Sequence, residues 1–400
     1  MNTILTQLNV MPIFRLSLGS KELFHSNFLE FLWNMDCLMF IRIINKLLPP
    51  HHGLPENISY NFHELSREKE NFDICVYHYI TLKGKEHIVY DLIIENKVKS
   101  IPSKIQLDDY VKKVMQNKWN NGCPPRYILL TLVDDFADKK KIEDEKIWTI
   151  ANYNILKEAI EKEQNCFYTN VGASYVKDYC LFIEQLHKLQ HLILSNFENS
   201  QLFGDVEEYK QCRLHDLYIK LRCCHFLMLL KDRIEKQGLP VSFIKEHKNI
   251  RAKHIPQVYL NYNIYSGVGQ AAAWLYTNTG NSIDDNIHEI VIQGNQYRHG
   301  INSCRYALKG EDKIKSQQNI WNELNKNQFD ANFLQALKKP EKAKKNRTNA
   351  FNGYGNEYVY RYDLIDKETV AELLDRMVDD ITNVYRHFVP HISVMTNEKL

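Results

Sequence analysis

Apolar residues over 20–48 recur at helical spacing. Leu23, Phe24, Phe28, Phe31 and Leu32 form a broad stripe behind Ser20, a residue suited to an N-cap. Pro49-Pro50 ends that pattern, and a polar stretch with Gly53 and Pro55 follows. Residues 72–82 (FDICVYHYITL) are rich in β-branched and aromatic side chains and predict a strand. Lys83-Gly84-Lys85 reads as a tight turn, and 87–98 (HIVYDLIIENKV) as the returning strand. That second run is apolar on both faces around Leu92–Ile94, the pattern of a central strand covered from two sides. Ser103 opens a helix in which Leu107, Tyr110, Val111 and Val114 recur at helical spacing to about residue 118. After Gly122 and Pro124-Pro125, residues 126–133 (RYILLTLV) predict another buried strand, so the strand–helix–strand order implies a right-handed crossover.

The charge run 139–146 reads as a solvated connection, and 150–198 as helical, with 179–194 a buried helix. A second buried helix is expected over 214–236, ended by Gly238 and Pro240. Beyond it come short strand patterns at 258–265, 287–294 and 358–365, then an amphipathic helix over 369–388 capped by Thr369. Gly267-Val-Gly269-Gln fits neither phosphate-binding glycine pattern and reads as a turn. The fold class is therefore α/β: a mixed sheet flanked by helices in residues 1–200, and an α+β domain in 201–400. The boundary falls near 195–210.

Composition changes this picture little. The 400 residues suffice for two domains, and 44% hydrophobic with 25% charged residues is globular. Lys plus Arg number 51 against 49 Asp plus Glu, so any basic surface is local rather than global. The best local candidate is 338–347 (KKPEKAKKNR), a phosphate-contact patch or a solvated loop. Tyr297-Arg298-His299 and 354–362 interleave aromatic and basic residues, as a stacking surface for single strands or as edge-strand packing. The nine cysteines are scattered without a C-x-x-C pair, which suits reduced thiols in a cytoplasmic protein. No apolar run approaches the ~20 residues of a membrane span, and the N-terminus lacks a signal-peptide pattern. A cytoplasmic protein with no membrane association is expected; its oligomeric state is not legible.

The chemistry concentrates in 72–110. Side chains two apart on a strand share a face, so Glu95 and Lys97 project together while Asn96 points away. A turn centred on Gly84 sets Asp73 opposite Glu95, and opposed residues have Cβ atoms roughly 4.5–5.5 Å apart. A register one residue out would set Asp73 beside Asn96 instead. Two carboxylates so close raise each other's pKa, a conflict that a divalent cation resolves. The plain alternative is a Glu95–Lys97 salt bridge with Asp73 merely beginning a strand. Asp91, on the odd-numbered face, lies roughly 13 Å along the strand from Glu95 and is excluded from the same ion.

Asp73 followed by IIENK (Glu95-Asn96-Lys97) resembles the catalytic core of the PD-(D/E)XK nuclease superfamily, with a restriction-endonuclease-like mixed-sheet fold. Gln106 and Tyr110 in QLDDY are similar to the Q-x-x-x-Y element of its RecB-like branch, and KELFHSNFLEFL resembles the first helix of one bacterial family, with Glu22 and His25-Ser26 at matching positions. The similarity spans about residues 15–135, and it departs from the usual first motif in having Phe72 rather than proline before the aspartate. The resemblance implies a hydrolase cutting nucleic acid, DNA by expectation, with Mg²⁺ as cofactor and Mn²⁺ as substitute. It implies that Asp73, Glu95 and the Asn96 carbonyl hold the metal, that Lys97 orients or deprotonates water, that Gln106 and Tyr110 complete the catalytic set, and that Glu22 and His25 are further ligands. Restriction, phage defence or repair are the implied settings.

Each outer residue also has a structural account. Glu22 favours a helix first turn, His25 can simply pack, Gln106 fits a capping box with Ser103, and Tyr110 can be core. The alternative for the whole chain is a catalytically silent module of the same fold that binds nucleic acid or a partner.

Overall fold

The computed structural model describes residues 3–17, 22–55, 62–98, 102, 104–120, 123–136, 138–163, 170–204, 206–244, 257–265, 268–277, 286–303, 352–354 and 358–397. The chain divides into two units, Met1–Ser195 with Glu207–Leu221, and Asn196–Val206 with Arg222–Leu400.

The first unit opens with α1 (Thr3–Val10), α2 (Pro12–Ser17), α3 (Glu22–Met35) and α4 (Cys37–Leu47). The single helix expected over 20–48 is two, because Asp36 takes extended backbone and its carboxylate accepts from Leu38 N at 2.9 Å and Met39 N at 3.0 Å. Its cap starts a new helix where the apolar periodicity alone shows no break. The sheet follows: β1 (His63–Arg67), β2 (Ile74–Leu82), β3 (Lys85–Lys97), then α5 (Lys104–Met115), β4 (Arg126–Thr131), α6 (Lys139–Glu145) and β5 (Trp148–Asn152). Strand order is β1-β2-β3-β4-β5, antiparallel from β1 to β3 and parallel from β3 to β5. This is the mixed sheet expected.

Helices α7 (Tyr153–Lys162) and α8 (Asn170–Leu194) complete this side, with α9 (Val206–Gln211) and α10 (His215–Lys236) after them. Residues 150–198 are largely helical where described, as expected, and the correction is confined to 150–152. Residues 148–152 form an edge strand, and Asn152 then caps α7, accepting from Ile155 N at 2.9 Å. The 139–146 run is a short helix rather than a bare connection. Helices α3 and α7 pack against the sheet through β1, β3 and β5. The sheet's centre is dry, with Ile74, Ile94, Ile128 and Leu130 fully buried.

The second unit holds β6 (Val241–Phe243), β7 (Val258–Tyr265), β8 (Val268–Thr277), β9 (Asn286–Gln293), β10 (Gln296–Ser303), β11 (Asn352–Tyr354), β12 (Tyr358–Leu364) and α11 (Val370–Asn397). Its sheet runs β11-β12-β10-β9-β8-β7-β6, antiparallel except for the β6/β7 pair. The α+β expectation holds. The turn expected at 267–270 is corrected, since Val268 to Gln270 begin β8, while Gly267 lies outside the described residues. Thr369 and Glu372 form a capping box at the start of α11, Thr369 N donating to Glu372 Oε2 at 2.8 Å.

The face of this sheet toward α11 is partly ionic. Arg376 pairs with Asp363 at 2.6 Å and Glu368 at 3.0 Å, and Tyr297 Oη donates to Asp380 Oδ2 at 2.6 Å. His299 Nε2 lies 3.2 Å from the same Asp380 oxygen. Tyr297, His299, Tyr360 and Tyr362 are all buried, so these side chains pack within the unit and present no stacking surface. The basic segment 338–347 lies outside the described residues. Among the described residues, no helix is long and apolar enough to cross a membrane.

Candidate functional site

The β2–β3 hairpin decides where the carboxylates sit. It closes on Leu82 opposite Lys85, so the turn is Lys83-Gly84. Both turn residues take positive φ, 52° and 74°, as the two-residue hairpin turn matching strand twist requires. Continued evenly from this turn, the pairing would set Asp73 opposite Ile94. Instead Tyr77 pairs with Tyr90 and Val76 with Leu92, leaving Asp91 as an extra residue in a bulge. Ile74 then faces Ile94, which brings Asp73 level with Glu95. The opposition derived from a turn centred on Gly84 is thus reached by another route: the turn sits half a residue earlier and the bulge makes up the difference.

The bulge also moves Asp91. Its carboxylate is 2.8 Å from His78 Nδ1, and His78 lies on the face of Ile74 and Val76. The expectation that Asp91 shares the face of Glu95 is corrected. It is kept from Glu95 by pointing through the other side of the sheet, not only by distance.

Glu95 and Lys97 sit at the end of β3, in the last stretch of its parallel pairing with β4. Glu95 is 1% exposed and Lys97 9%. Lys97 Nζ donates to Glu95 Oε1, and Gln106 Nε2 donates to the same oxygen at 2.8 Å. Gln106 Nε2 also reaches Tyr110 Oη at 2.8 Å, as their spacing of one turn on α5 allows. Tyr110 is held edge-on against Phe72, with ring centroids 5.2 Å apart. Asp73 Oδ2 accepts from Asn96 N at 2.7 Å. Asp73, Glu95, Lys97, Gln106 and Tyr110 therefore form one contiguous cluster on one face of the sheet.

Asn96 joins the cluster only through its main chain. Its side chain passes to the opposite face, where Nδ2 donates to Ser26 Oγ at 2.7 Å and Oδ1 accepts from Tyr153 Oη at 3.3 Å. His25 belongs to that face too. It is 2% exposed, its Nδ1 lies 2.9 Å from Tyr179 Oη, and its ring stacks on Phe182 and meets Tyr153. The expected ligand role of His25 is therefore corrected: an aromatic cage on the far side of the sheet holds it. Glu22 opens α3, and its side chain lies outside the described residues, as does Ser103. Tyr153, which steadies Asn96, escapes sequence reasoning because the strand before it has the texture of a helix.

Burial is the largest influence on Glu95 and raises its pKa from the ordinary 4.5 to about 7, with the Asp73 carboxylate adding to the rise and Lys97 opposing it. Burial first, then the negative charge of Glu95, holds the Tyr110 phenol protonated far above its usual range. The second Glu95 oxygen, Oε2, is buried and accepts no hydrogen bond among the described residues. A buried carboxylate oxygen without a donor, next to a second carboxylate, is a donor set suited to a hard divalent cation. Among the described residues, two further groups could hold an ion: His63 with His78 and Asp91, and Asp134 with His187 and His191.

Comparison with known protein families matches residues 9–180 to the PD-(D/E)XK nuclease superfamily. Neither the curated proteins nor the solved structures gave a match. The matched segment runs from α1 into α8 and contains the whole five-stranded sheet, both faces of the Asp73–Glu95–Lys97 cluster included. Residues 9–180, the segment that carries this sheet and its carboxylate cluster, are thus similar to the PD-(D/E)XK nuclease superfamily.

Proposed function

We propose that the chain is a magnesium-dependent deoxyribonuclease that hydrolyses phosphodiester bonds at the Asp73–Glu95–Lys97 cluster. The observation that carries this reading is Glu95: it is 1% exposed, bonded to Lys97 through one oxygen, and left with a bare second oxygen. A buried carboxylate oxygen left open beside a second carboxylate is what a cation held between the two would use.

Each side chain has a task. Asp73 and Glu95, with the Asn96 carbonyl, would hold Mg²⁺, or Mn²⁺ in its place. The ion supplies a lowered pKa for bound water and charge stabilisation at phosphorus. Lys97 orients the attacking water and offsets negative charge on the phosphate. Gln106 fixes the Glu95 carboxylate and the Tyr110 hydroxyl against each other, so that neither must reorganise. The Asn96 N–H pins Asp73, and Ser26 and Tyr153 pin Asn96 from behind. Gln106 and Tyr110 are positioning residues in this scheme and not metal ligands.

The C-terminal unit is assigned target recognition, supported by the basic composition of 338–347, with DNA as partner. Restriction, phage defence or repair are settings that the superfamily suggests by analogy of fold.

Lys97→Met tests the assignment, since it keeps the volume and removes the charge. Cleavage of plasmid DNA should fall by about 10²- to 10⁴-fold with an unchanged circular-dichroism spectrum. Undiminished cutting would take Lys97 out of the mechanism.

A further inference from the structure

We propose that His63, His78 and Asp91 form a second metal site, for a divalent transition cation of the zinc class, on the sheet face away from Glu95. The inference stands apart from the nuclease reading, because it uses none of the residues of that cluster.

The three ligands come from three hydrogen-bonded strands. His63 on β1 pairs in register with His78 on β2, and their ring centroids are 5.2 Å apart. Asp91 is the unpaired residue of the β3 bulge, and that extra residue turns its carboxylate onto the face of the two imidazoles. Asp91 Oδ2 is 2.8 Å from His78 Nδ1 and 3.9 Å from His63 Nε2, and the three ligand atoms all lie within 4.8 Å of one another. A tetrahedral ion with bonds of about 2.0–2.1 Å needs ligand atoms about 3.3 Å apart. Side-chain shifts of up to about 1.5 Å bring the observed spacings to that cage, the 2.8 Å pair opening and the wider ones closing.

The chemistry separates this site from the first. Two imidazoles and one carboxylate suit Zn²⁺ and its neighbours, whereas magnesium prefers oxygen. Side-chain exposures of 14% for His63, 28% for His78 and 22% for Asp91 leave a path for the ion and room for a water as fourth ligand. A hydrogen-bonded His78–Asp91 pair alone would not call for a second imidazole facing the same oxygen. Bound there, the ion ties the edge strand β1 to the bulge, and the bulge is what sets Asp73 level with Glu95.

The other triad is the built-in control. Asp134 Oδ1 is engaged by Asn152 Nδ2 at 3.1 Å, and its side chain is 41% exposed, so it is the weaker cage.

The test uses the full chain carrying Asp73→Ala and Glu95→Ala, dialysed against Zn²⁺. One equivalent should bind, and adding His63→Gln or His78→Gln should weaken binding at least tenfold, while His187→Gln leaves it unchanged. Should a histidine variant fail to fold, carbethoxylation of the unsubstituted background decides. Zn²⁺ should protect His63 and His78, mapped by mass spectrometry, and leave His187 as reactive as before. Absence of Zn²⁺ uptake, uptake indifferent to His63→Gln, or no protection of His63 and His78 would overturn the proposal.

Discussion

Glu95 is costly to ionise where it stands, because water is excluded and a second carboxylate is its neighbour. Its pKa near 7 lies above the ordinary 4.5, so folding favours the protonated form. The stability this contributes in the metal-free protein is fully present below about pH 4.5 and is lost as pH rises through about 7. Glu95→Gln has no proton to lose. The difference in unfolding free energy between wild type and this variant, from urea titrations in chelator, should therefore move against the wild type between pH 5 and 8. A difference that stays flat with pH would mean that Glu95 titrates normally. At this scale the sequence is informative wherever the strand period fixes a direction: Glu95 and Lys97 share a face, and Asn96 does not. His25 is not legible in the same way. Its direction depends on which side of the sheet α3 packs, and an aromatic cage of Tyr153, Tyr179 and Phe182, contributed by later helices, decides it.

Between the turn and the carboxylates lies the bulge, the element that absorbs Asp91 as an extra residue. Deleting Asp91 removes the extra residue, so Val76 pairs with Leu92 directly after Tyr77 with Tyr90 and Asp73 stays level with Glu95. The deletion variant should keep its sheet, read by circular dichroism, and keep cleavage and Mg²⁺ binding near the wild-type level. Loss of both with the sheet intact would show that pairing register alone does not align the carboxylates. Nothing in VYDLII announces the bulge, because an aspartate inside an apolar strand reads equally as an outward-facing residue. Other elements are hidden for related reasons. β1 (HELSR) is a polar edge strand that pairs on one side only, and β8 carries three alanines, weak strand formers that β7 and β9 enforce from both sides. The strong apolar run of β4 is readable because burial itself writes its pattern.

For the whole molecule, a net charge of +2 leaves no global field to draw in DNA, so affinity must come from local cations. Neutralising Lys338, Lys339, Lys342, Lys344, Lys345 and Arg347 together should flatten the dependence of log binding constant on log salt. The slope should change by up to about 0.9 for each duplex phosphate that these cations neutralise. A slope equal to that of the wild type would remove this segment from the interface.

The central claim is that Asp73 and Glu95 hold a metal with which the chain cuts DNA. The measurement that bears on it most directly is a Mg²⁺ titration by calorimetry paired with cleavage of plasmid, linear and single-stranded DNA, for wild type and an Asp73→Ala, Glu95→Ala variant. Binding and cutting by wild type, with neither in the variant, is the predicted result. Wild type that binds no Mg²⁺ and leaves all three substrates intact would contradict the account and identify the fold as a silent module.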